Sequence, residues 1–132
     1  MDVSPVVQYF ILAEDFLANP TNPKKVSIID VLVAIRPEQE PAYPMLVKEI
    51  CCVIWLTDGR RSGESQIVCV DDETSRPLFA SSLHTIQLSH DPLEYFVAGF
   101  RMLDCRFPRP GVYNFEFRWN KTKIAECPLR LR

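Results

Sequence analysis

The chain has 132 residues, 15 Lys+Arg against 17 Asp+Glu for a formal charge of −2, and is 47% hydrophobic and 24% charged. That length suits a single domain over residues 1–132, and the composition excludes a disordered or fibrous chain. A near-neutral balance also argues against nucleic acid as partner, because phosphate affinity needs an excess of Lys and Arg.

At the start of the chain, no positive charge precedes the apolar residues Phe10-Ile11-Leu12-Ala13, which end at Glu14-Asp15. A secretory signal needs a basic segment and a longer apolar run, and a membrane span needs about 18 apolar residues. The expectation is a cytoplasmic protein with no membrane partner. Five cysteines (Cys51, Cys52, Cys69, Cys105, Cys127) without regular spacing fit this setting as small buried hydrophobes.

Taken in order, residues 7–16 and 26–35 are apolar, β-branched or aromatic runs, separated by a loop with two Asn-Pro pairs. Residues 37–44 hold three prolines, which favour an extended crossover between sheets; a short helix there or at 91–94 is the alternative. Residues 46–57 are nearly all apolar, the pattern of a central strand covered on both faces, with Trp55 in the core. The 58–63 segment reads as a polar hairpin tip, and residues 66–70 return from it. Strands follow at 83–88 and 95–103.

The last stretch is the clearest. Tyr113, Phe115, Phe117 and Trp119 share one parity and Asn114, Glu116 and Arg118 the other, so a half-buried strand presents an aromatic inner face. Asn120-Lys121 is a short turn into a final strand in which Ala125, Cys127, Leu129 and Leu131 alternate with polar residues. Pro128 lacks a ladder donor and belongs at an edge. The whole pattern predicts an all-β antiparallel sandwich of eight or nine strands.

The segment Pro110-Gly111-Val112-Tyr113-Asn114-Phe115 resembles the end of an immunoglobulin-like sandwich, with Tyr113 at the place of the tyrosine corner. Together with the strand–Asn-Pro loop–strand of residues 10–35 and the run Phe107-Pro108-Arg109-Pro110-Gly111-Val112-Tyr113, the chain resembles a family of small bacterial proteins of uncharacterised function. That resemblance implies an architecture and carries over no functional residue.

Chemistry is sparse. Cys51-Cys52 are adjacent and point to opposite faces, and neither His84 nor His90 has a ligand partner at a zinc spacing, so no metal and no cofactor is expected. No Gly-x-Ser-x-Gly elbow accompanies a histidine; His84 reads as partly buried and hydrogen-bonded, and hydrolase activity ranks last. Glu14-Asp15 and Asp71-Asp72 are neighbours on strands that face apart, hence solvated strand ends rather than an acid/base couple. Arg60 and Arg61 in the 58–63 loop offer an anion-binding tip, the basis of an alternative small-ligand function for an anion or carbohydrate. The leading expectation is a non-enzymatic module that binds a protein partner, itself included, through an edge strand or a loop end. Tyr43, Tyr95 and Phe96 are its candidate anchors, provided that they are contiguous.

Overall fold

The computed structural model describes residues 4–22, 25–38, 40, 42–58, 62–88, 91 and 93–132. These residues form ten strands and no helix: β1 (Val6–Ala18), β2 (Val26–Val31), β3 (Ala34–Ile35), β4 (Met45–Thr57), β5 (Gly63–Asp71), β6 (Pro77–Ala80), β7 (His84–Ile86), β8 (Tyr95–Phe107), β9 (Gly111–Trp119) and β10 (Thr122–Leu131). One sheet has the order β2-β1-β4-β8; the other runs β3-β10-β9-β5-β6, with β7 also paired to β5. Among the described residues no helix is long and apolar enough to cross a membrane.

The core lies between the sheets. Leu12, Ile50, Cys52, Ile54 and Phe100 of the first sheet meet Ile67, Cys69, Tyr113, Phe115 and Phe117 of the second. Edge-to-face contacts join them, including Phe100–Phe117 at 6.2 Å and Phe107–Tyr113 at 4.9 Å between centroids, the arrangement that aromatic quadrupoles favour. Period-two alternation in β9 thus does what its sequence foretells. Asn120 (φ 48°) and Lys121 (φ 71°) make the two-residue turn whose positive φ values match strand twist. The Tyr113 hydroxyl donates to the Arg109 carbonyl at 2.6 Å, tying the loop before β9 to its own strand as a tyrosine corner does.

Several expectations are corrected. The 26–35 run is not one strand: β2 pairs with β1 in the first sheet, whereas β3 pairs parallel with β10 in the second, so the chain changes sheet at Leu32-Val33. The proline-rich segment then carries it back to β4, a second crossover. β4 and β5 lie in different sheets and do not pair as a hairpin; residues 59–61 between them lie outside the described residues. The 83–88 run shortens to three paired residues, and β6 was not foreseen. β4 is central as expected, but Trp55 points away from the core and sits edge-on to Tyr9 at 5.8 Å. Asp71 is not solvated. It is 4% exposed and accepts two hydrogen bonds from Arg109 Nη2, at 2.8 and 2.6 Å, as a buried carboxylate requires.

An aspartate with left-handed backbone reverses the side-chain parity of β8. In β8, Ala98, Phe100 and Met102 face the core, but beyond Asp104 (φ 53°) Cys105 and Phe107 do. β4 switches with it, from Ile50 to Val47 and Met45. Asp30 (φ 55°) marks a similar irregularity in the β1–β2 ladder, opposite Glu14. Aspartate tolerates this region better than most residues because its short carboxylate bonds locally.

Candidate functional site

The first sheet ends in β8, thirteen residues whose one strand partner among the described residues is β4. Its register is unbroken from Tyr95↔Thr57 to Leu103↔Glu49. The other margins are short or blunted. β2 has six residues and contains Asp30, β3 has two, and β6 has four and begins with Pro77. β10 carries a bulge between Lys123 and Ala125 and then Pro128, the devices that discourage a further strand. Along β8 the first such device is Asp104. Residues 95–103 are therefore the longest regular edge among the described residues, and Tyr95 (39% exposed), Phe96 (37%) and Leu103 (69%) lie on it.

An arm braces this edge. β1 leaves β4 after Ala13↔Cys51 and continues to Ala18 paired only with β2, so the far half of that hairpin passes over the outer face of the sheet. There the Phe16 ring covers Gly99 so closely that a Cβ at Gly99 would overlap three ring carbons. An isolated glycine in a strand marks such a close approach, and this was the one sequence signal that pointed here. Arg101, next on the same face of β8, locks the arm. Its Nη1 donates to Asp15 Oδ1 at 2.6 Å and Glu49 Oε1 at 2.8 Å, and its Nη2 to the Phe16 carbonyl at 2.8 Å. The guanidinium carbon also lies 4.5 Å from the Phe16 ring centroid, a cation–π distance. Hydrogen bonds from Arg101 and from the Phe16 N–H hold the Asp15 carboxyl below the usual carboxylate range.

The oxygens of Asp15 and Glu49 and the sulfur of Cys51 lie within 4.8 Å of one another, a spacing that a metal would accept. The guanidinium already serves all three, since its Nη1 is also 3.5 Å from Cys51 Sγ. Burial pushes the Cys51 thiol up to about 11, leaving it protonated at neutral pH and a poor metal ligand. The cluster is an arginine clasp. Burial likewise raises Cys52 and Cys69, and Cys105 to about 12; Cys127 is the one half-buried thiol.

The three aromatic anchors are not brought together. Tyr95 and Phe96 stand opposite Thr57 and Leu56 at one end of β4, whereas Tyr43 precedes Met45 at the other, roughly 35 Å of strand away. Tyr43 is half-buried, packs against the core, and donates its hydroxyl to the Arg132 carbonyl at 2.8 Å. It is a tie within the fold. Arg60 and Arg61 lie outside the described residues, as does His90. His84 is exposed rather than partly buried; its Nε2 is 3.1 Å from Ser82 Oγ and its ring 5.1 Å from that of Phe100. Both members of the Ser82–His84 pair are exposed, and among the described residues no carboxylate orients the imidazole.

A groove of about 650 Å³ lies beneath the proline-rich crossover, between Glu14, Leu32, Ile35, Arg36, Lys48 and Glu49. Its volume suits a small molecule, and both cations and carboxylates line its wall. Neither Ser82 nor His84 lines it. No protein-family profile matches the chain, and no curated protein does.

Proposed function

We propose that this protein is a non-enzymatic interaction module whose β8 edge receives an extended strand from a protein partner. The observation that carries the reading is the regular, one-sided run of residues 95–103 beside margins that are short, bulged or interrupted by proline. An incoming strand would hydrogen-bond to the outward backbone groups of β8, while its side chains contact Phe96 and Leu103. The Arg101 clasp supports this role, because a braced edge loses little freedom when it is joined. The Tyr113 tie favours an immunoglobulin-like reading of the sandwich, in line with the family resemblance. Five free thiols favour a reducing, cytoplasmic setting.

The test is affinity capture from native extract with the wild-type chain and with Leu103→Lys, followed by binding of the captured partner in purified form. Leu103 is 69% exposed, so the substitution leaves the melting temperature nearly unchanged. A partner held by wild type and released by Leu103→Lys supports the proposal. Equal retention by both chains overturns it.

A further inference from the structure

We propose, resting on the β8 reading above, that the strand received is β8 of a second copy, antiparallel, with Gly99 on the two-fold axis. Antiparallel pairing about a two-fold axis sets each residue opposite the one equally far beyond the axis, so the geometry selects its own centre. Gly99 is the midpoint of the regular 95–103 segment. Any other centre shortens the ladder or runs it into left-handed Asp104. A centre at Arg101 would also oppose two like charges.

With Gly99 on the axis, the outer-face residues Tyr95 and Leu103 meet across the junction twice, both exposed in the single chain. Aromatic–aliphatic cross-strand pairs of this kind stabilise antiparallel sheets. On the inner face, Phe96 stands opposite Met102 of the other copy. Arg101 is the one charged residue in the segment, and Asp15 and Glu49 of its own chain already neutralise it. Two copies therefore meet without repulsion. At the axis each glycine carries the Phe16 ring of its own chain, which supplies the apolar cover that the glycine lacks. The product is one continuous eight-stranded sheet from two four-stranded ones.

Sedimentation equilibrium on the full chain and on Leu103→Lys tests the association, and disulfide trapping tests its register. Wild type is expected to dimerise, and Leu103→Lys to raise the dissociation constant more than about tenfold. An oxidised mixture of Tyr95→Cys and Leu103→Cys chains is expected to give a covalent heterodimer, while neither variant alone cross-links. A wild-type chain that stays monomeric at about 100 μM overturns the second-copy proposal. In that case Leu103-dependent capture of another protein still upholds the edge reading, and its absence removes both. A covalent homodimer of Tyr95→Cys, with no heterodimer in the mixture, overturns the register.

Discussion

Replacing Gly99 by Ala probes the brace on β8 directly. Gly99 has no positive φ, so the backbone accepts alanine, and a shorter list of unfolded conformations would by itself stabilise by about 0.4–1 kcal/mol. Against this, the new methyl would overlap Cζ, Cε2 and Cε1 of Phe16, and overpacking of this kind costs about 1–3 kcal/mol. A displaced ring also leaves the Arg101 guanidinium, a contact of about 0.5–1 kcal/mol at an exposed site. The net expectation is a loss of about 2 kcal/mol, or roughly 6–10 °C in melting temperature for a domain of this size. Phe16→Ala destabilises too, but with the ring gone Gly99→Ala becomes neutral or slightly stabilising. Thermal or urea melts of all four chains then give a coupling of about 2 kcal/mol. Equal cost of Gly99→Ala in both backgrounds would refute the ring-on-glycine contact.

Three further outcomes follow from the geometry. The Asp15 carboxyl titrates below its ordinary value of 3.8 in the folded chain, so its clasp contributes fully above that pH and fades as pH falls through the lower folded value. The melting-temperature gap between wild type and Arg101→Gln should therefore be constant from pH 5 to 7 and narrow on acidification below about 4, an outcome that a flat gap would contradict. Lys121→Gly places glycine at φ 71° in the turn before β10 and should stabilise by about 0.5–1 kcal/mol, read from the urea midpoint. Iodoacetamide at pH 8 should leave Cys51, Cys52, Cys69 and Cys105 unmodified in the native chain and label all five cysteines after denaturation, as peptide mass mapping would report.

What could be read from the sequence was local. β9 announces itself because one of its faces packs on aromatics and the other meets water, and the Asn120-Lys121 turn follows from residue type. β4 shows where such reasoning stops. Both of its faces are covered, so alternation could not tell that Ile54 faces the core and Trp55 the outside. Asp104 then reverses parity within an apparently continuous strand, which no period-two count can register. The ionic features were hidden for another reason. Asp71 finds Arg109 38 positions later, and Asp15 finds Arg101 86 positions later, so carboxylates that look solvated in one dimension become paired in three. The open edge was equally non-local, since an edge is defined by the neighbour that a strand lacks.

The two residues of β3 close a circuit between distant parts of the chain. Arg130 N–H donates to the Val33 carbonyl at 3.1 Å and Arg132 N–H to the Ile35 carbonyl at 3.1 Å, a parallel seam that the Tyr43 hydroxyl reinforces from the crossover. Few bonds against so long a closure mean that such a junction zips late, after both layers have condensed. Tightening it would then slow the opening of the native molecule and leave the speed of its assembly almost untouched.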